Sequence, residues 1–184
     1  MSTSYLSDVP AAARERAKAI RLLALDVDGT LTDGRLRLSS DGNEIKAFCA
    51  LDGQGLKLLR QVGIEVALIT ARTSEVVAKR AAELGIKHVY QGAHDKRGSL
   101  RALCQILSLE PHQVAYMGDD LPDLVAMSLA GLAVAPANAH PWIKDRVHWN
   151  TNSAGGAGAV RELCDMILDA QGKVDELLKA YTAA

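Results

Sequence analysis

The chain has 184 residues, 48% hydrophobic and 23% charged, with 21 basic against 22 acidic side chains and a formal net charge of -1. That length suits one domain spanning residues 1–184, with enough apolar material for a sizeable core. The charge balance gives no electrostatic reason to expect nucleic acid or an anionic membrane as partner, although a local basic site for a small anion remains open.

In chain order, Met1–Pro10 is polar and Ala11–Ile20 carries four charges, which is not a signal-peptide pattern. Leu22–Asp26 is a short apolar run ending in acid. Leu36-Arg37-Leu38 and Glu44-Ile45-Lys46-Ala47-Phe48 flank Ser39-Ser40-Asp41-Gly42-Asn43, a hairpin signal that predicts a small flap over about residues 34–48. Beyond it, helical spacing over Leu56–Val62, Ser74–Leu84, Gly98–Leu107 and Leu121–Ala130 alternates with short apolar runs at Ile64–Ile69, His88–Tyr90, Val114–Met117 and Leu132–Ala135, and a further strand candidate at Arg146–Trp149. The loop Asn152-Ser153-Ala154-Gly155-Gly156 precedes a C-terminal helical tail over about 158–184. This alternation predicts an α/β fold, a doubly wound parallel sheet covered by helices on both sides. No stretch approaches the ~20 apolar residues that span a bilayer. Cys49, Cys104 and Cys164 are widely spaced and odd in number, so reduced thiols in a cytoplasmic protein are expected rather than a disulfide framework or zinc site.

The most informative stretch is Leu25-Asp26-Val27-Asp28-Gly29-Thr30. A buried strand ends in two carboxylates two positions apart, which share a face of a regular strand. Anions so close are costly unless a cation separates them. Mg²⁺ suits an all-oxygen site that shares a ligand with substrate phosphate. A calcium loop of the EF-hand type is a poor match, because Gly29 falls at the fourth position, Arg37 at the twelfth, and a strand precedes. The five histidines show no metal spacing.

Asp-x-Asp-Gly-Thr after an apolar strand resembles the first motif of the haloacid dehalogenase superfamily. Thr70 matches its second motif, Lys96 its third, and Gly118-Asp119-Asp120-Leu121-Pro122-Asp123 its fourth, each at the end of a predicted strand. The resemblance implies that Asp26 is a nucleophile forming an aspartyl phosphate and that Asp28 serves as acid and then base. It further implies that Thr70 binds phosphoryl oxygens and that Lys96 balances their charge. Mg²⁺ would be held by the Asp26 and Asp119 carboxylates and the Asp28 carbonyl. Asp123 would orient Lys96 or metal-bound water. Only 25 residues separate Thr70 from Lys96, so no cap domain is expected.

Within that superfamily the chain most resembles the family of 3-deoxy-D-manno-octulosonate 8-phosphate phosphatases, which supply a sugar acid of lipopolysaccharide. The similarity includes Ile69-Thr70-Ala71-Arg72, Tyr90-Gln91-Gly92, Ala139-His140-Pro141, Ala154-Gly155-Gly156 and Ala170-Gln171-Gly172-Lys173. The resemblance implies a small sugar-acid phosphate as substrate, with Asp28, Asp52, Gly53, Arg72, Arg80 and Lys96 facing it. It also implies a homotetramer in which hairpins associate and a C-terminal segment approaches a neighbour's site. Leu51 stands where that family usually has a basic residue, and Ala157 where it has arginine, so two charges are missing from expected substrate loops. A phosphatase for a related nine-carbon keto-sugar acid phosphate, and a silent homologue serving oligomerisation, are the competing readings.

Overall fold

The computed structural model describes residues 6–182. β1 (Leu22–Leu25) lies at the centre of a six-stranded sheet. On one side it pairs with β4 (Glu65–Ile69), which pairs with β5 (His88–Tyr90). On the other side β6 (Val114–Met117), β7 (Leu132–Ala135) and β8 (Trp149–Asn150) follow in turn. Every pairing is parallel, as the alternation predicts. A separate antiparallel pair, β2 (Arg37–Leu38) and β3 (Glu44–Ile45), forms the flap.

Both faces of the central strands are covered. Leu23 and Leu25 join one apolar layer with α1 (Ala11–Ala17), α2 (Ala50–Gln61), α3 (Glu75–Glu83), α7 (Ala159–Ala170) and Leu177 of α8 (Val174–Thr182). Leu22 and Ala24 join the other with α4 (Lys96–Leu107), α5 (Leu124–Met127) and Ile143 of α6 (Pro141–Lys144). All four residues of β1 have no exposed surface. This accounts for their uninterrupted apolar character in a doubly covered sheet.

The strands β5, β6 and β7 have the limits the sequence predicts; other boundaries move. β1 stops at Leu25, which releases Asp26 into a loop. The helix expected from Leu56 begins six residues earlier, at Ala50, and runs through Asp52, Gly53 and Gly55. Glycine hides a helix from propensity, but a Cβ on Gly55 would sit 3.0 Å from both Arg161 Cδ and Cys164 Cβ, so the residue lets α2 approach α7. The helix expected over Leu121–Ala130 is a 3-10 turn over Leu121–Asp123 followed by α5, because Pro122 and the Asp123 side chain shape its first turn. The strand expected at Arg146–Trp149 shifts to Trp149–Asn150, since Arg146 folds back onto Ile143. α1 and α6 form where no helix is predicted.

Candidate active site

The topology brings Asp26, Thr70, Lys96 and Asp119 together, because they follow the carboxyl ends of β1, β4, β5 and β6. Open α/β sheets bind ligands at that end, where the connections from the central strand run in opposite directions. Asp26 N donates to Met117 O at 2.9 Å, while Val27 O accepts from Thr30, Leu31 and Thr32, so the loop after β1 turns tightly. Gly29 has φ +90°, and a Cβ there would lie 2.0 Å from Asp119 Oδ2. Its missing side chain is the space that Asp119 occupies. From the other end of the chain, Gly155 closes on the same loop; its Cβ would fall 1.8 Å from Gly29 O.

Oxygen atoms of Asp26, Asp119 and Asp123 lie within 4.8 Å of one another. Lys96, buried to 3% exposure, places Nζ 2.7 Å from Asp123 Oδ1 and 3.0 Å from Asp26 Oδ1. The first contact is a hydrogen bond; the second is an ion pair that leaves buried Asp26 Oδ1 without hydrogen-bond geometry. Tyr116 Oη also donates to Asp123 Oδ1 at 3.0 Å, and the backbone N–H groups of Asp119 and Asp120 donate to Asp123 Oδ2. Asp123 is therefore saturated by protein donors, and the lone pairs free for a cation belong to Asp26 and Asp119.

Electrostatics supports the same division. Burial, then the Asp123 carboxylate, pushes the Asp26 pKa up to about 6 against the pull of Lys96. Burial pushes Asp119 up to about 7, with Asp123, Asp26 and Asp120 adding to it. Burial opposes charge on Lys96, but Asp123 and Asp26 together push its pKa up. A single lysine thus stands against three clustered carboxylates, and a hard divalent cation fits the remaining deficit.

The site opens into a pocket of about 310 Å³ lined by Asp26, Asp28, Thr70, Arg72, Lys96 and Asp119, with Leu36 of the flap at its edge. Sequence reasoning missed what the flap contributes. Lys46 donates to Asp28 Oδ1, and its side chain is 2% exposed. Tyr116, read only as strand interior, was missed too; its hydroxyl is visible only once β6 is placed beside Asp123.

Three residues expected to face substrate lie outside this pocket. Asp52 is 1% exposed, and its Oδ1 accepts from Arg161 N at 2.8 Å. It caps α7 from outside that helix, where Gly158 at the N-cap has no side chain to do so. Burial raises its pKa, and backbone N–H groups at the start of α7 oppose the rise. Gly53 packs under Arg80, whose Nη2 would be 2.4 Å from a Cβ at that position. Arg80 pairs with Glu83 at 2.9 Å and sits 5.7 Å over the Phe48 ring. The slot they share holds about 10 Å³, too little for a sugar acid.

Residues 86–163 match the family model of haloacid dehalogenase-like hydrolases. The chain is 47% identical to the 3-deoxy-D-manno-octulosonate 8-phosphate phosphatase KdsC of Escherichia coli strain B over 176 residues, which is 96% of this chain and 93% of that one. A crystal structure of a hypothetical protein from Xanthomonas campestris is 55% identical with a TM-score of 0.95, covering 99% of this chain and 100% of that one. The 3-deoxy-D-manno-octulosonate 8-phosphate phosphatase from Moraxella catarrhalis, solved with magnesium, phosphate and KDO, is 44% identical with a TM-score of 0.90, covering 92% and 98%.

Proposed function

The chain belongs to the haloacid dehalogenase-like hydrolases, within the family of the KdsC phosphatases, and from that membership we propose that it hydrolyses 3-deoxy-D-manno-octulosonate 8-phosphate to the free sugar acid and phosphate. The observation that carries this reading is the meeting of Asp26, Asp28, Thr70, Arg72, Lys96 and Asp119 around one pocket, in a chain that aligns with those phosphatases almost end to end.

Asp26 is the nucleophile. Its carboxylate oxygen bonds to phosphorus as the bond to the sugar oxygen breaks, and Asp28 gives that oxygen a proton. Asp28 then takes a proton from the water that cleaves the acyl phosphate, which returns Asp26 and releases phosphate. Lys96 and Thr70 hold phosphoryl oxygens while negative charge moves between them. Arg72, at the pocket rim, offers a guanidinium to the substrate's acidic groups. Mg²⁺ would be held by the Asp26 and Asp119 carboxylates and the Asp28 backbone carbonyl, and it supplies the countercharge that lets an anionic nucleophile approach a phosphate.

The described chain works as one catalytic domain with a flap and a helical tail, in the cytoplasm, supplying a lipopolysaccharide sugar. It assembles as a homotetramer through the flap, where Leu36, Leu38 and Ile45 are each more than half exposed. Its C-terminal segment approaches a neighbour's site. The functional test is phosphate release from a panel of eight- and nine-carbon keto-sugar acid phosphates, with and without Mg²⁺. We expect clear preference for the eight-carbon substrate, dependence on the metal, and loss of turnover in Asp26→Asn. Uniform slow turnover on all substrates would remove the substrate assignment. Wild-type rates in Asp26→Asn would remove the covalent mechanism.

A further inference from the structure

Besides Leu36, which lines the pocket, the flap brings two charged side chains, Glu44 and Lys46, to Arg72 and Asp28 of its wall. Along β3 and the next residue, Glu44 and Lys46 point inward, while Ile45 between them is 57% exposed. Lys46 Nζ donates to Asp28 Oδ1 and lies 3.1 Å from Glu44 Oε1. Glu44 is itself pinned: it accepts from Ser74 Oγ at 2.5 Å and from Arg72 Nη2 at 3.0 Å. Ser74 is the N-cap of α3, accepting from Val77 N. A continuous polar chain therefore runs from the start of a rigid helix, through the flap, to one oxygen of Asp28. The other oxygen, Oδ2, has a 3.6 Å contact with Arg72 Nε.

We propose that Lys46 is a positioning residue for Asp28. By tying down Oδ1, it holds the carboxyl group in the orientation that presents Oδ2 to the leaving oxygen. A lysine held at 2% side-chain exposure has given up most of its rotamer freedom. Holding both partners in one arrangement removes the search that a free carboxyl would make before each proton transfer. The inference rests on the reading of Asp28 as the acid. In that step the proton leaves Asp28 for the ester oxygen as the ester O–P bond breaks and the Asp26–phosphorus bond forms. Lys46 neither gains nor loses a proton.

A misplaced acid matters only when the leaving group needs a proton. Phenyl phosphate and 4-nitrophenyl phosphate have similar shapes, and 4-nitrophenolate leaves far more readily without help. The quantity to compare is kcat/KM, which ends at the first irreversible step and so excludes hydrolysis of the aspartyl phosphate. For Lys46→Met we expect kcat/KM to fall about tenfold or more for phenyl phosphate and less than about threefold for 4-nitrophenyl phosphate, within the range that general acids contribute. Lys46→Arg, which keeps the cation, recovers most of the loss. Equal losses on the two esters, or none, would overturn the positioning role. Asp28→Asn is the control. If it shows the leaving-group dependence and Lys46→Met does not, the inference fails alone. If Asp28→Asn shows none, the acid role fails and the inference with it.

Discussion

Four donors converge on the Asp123 carboxylate: Lys96 Nζ, Tyr116 Oη and the backbone N–H groups of Asp119 and Asp120. That saturation makes Asp123 a fixed anion orienting Lys96, and leaves the adjacent Asp26 and Asp119 to attract a cation. Burial forces the same outcome on Tyr116, whose pKa is pushed well above its ordinary value by desolvation and the nearby carboxylates, so the phenol stays a donor. Gly29 is the residue on which this arrangement is least forgiving. Gly29→Ala would place Cβ 2.0 Å from Asp119 Oδ2 and hold alanine at φ +90°. We expect a stability loss of at least about 1–2 kcal/mol from backbone strain alone, and a fall in kcat of roughly a hundredfold as Asp119 is displaced. Thermal melting and Mg²⁺-dependent phosphate release check this; unchanged Mg²⁺ dependence would show that Asp119 has another route into place. The glycine was legible within its motif, whereas the close approach of Asp119 was not, because the two follow strands far apart in the chain that become neighbours only in the folded sheet.

Elements rather than single residues explain where sequence reasoning lost its way. The run Leu51-Asp52-Gly53-Gln54-Gly55 reads as loop because glycine disfavours helix, yet it forms the first turns of α2, since Gly55 admits the Cys164 side of α7. Once α2 is helical, Asp52 points at the start of α7 and caps it, and its expected place against substrate is gone. Asp52→Ala should cost about 1–2 kcal/mol as a lost helix cap, read as a lower denaturant midpoint, with KM for the sugar-acid phosphate within about twofold of wild type because no pocket contact is removed. A large rise in KM at unchanged stability would restore the substrate-facing role. The flap shows the reverse case. Its alternation was readable, and Glu44 and Lys46 fall on one face by period two. Which face turned toward Asp28 depended on the path of the chain between β1 and α2.

At the scale of the molecule, the buried acids should make stability depend on pH and metal together. Asp26 and Asp119 have folded pKa values of about 6 and about 7, above the ordinary 3.8. The folded state therefore holds protons that the unfolded state releases, and metal-free stability falls as pH rises from about 4 to about 7, then levels off. Mg²⁺ binds the ionised pair, so it should raise the melting temperature more at about pH 8 than at about pH 5, the stabilisation reaching about 2.7 kcal/mol at a hundredfold excess over its Kd. Asp119→Asn should flatten both trends. A chelated wild type whose stability rises over that window would contradict the assignment. For assembly, sedimentation of the wild type should give four chains, and Leu38→Asp with Ile45→Asp a smaller species; a monomeric wild type would remove the tetramer.

The sequence by itself determined the chemistry available at the strand ends and the alternation that builds a parallel sheet. Both are local: a strand buried on two faces must be apolar along its length, and two carboxylates two residues apart invite a cation. Only the tertiary structure decided that Asp123 would take the Tyr116 hydroxyl as well as the expected Lys96, that Asp52 would cap α7, and that Lys46 would reach Asp28. Those outcomes turn on side chains brought together by packing across 7 to 109 residues of chain, where neither periodicity nor motif spacing carries information.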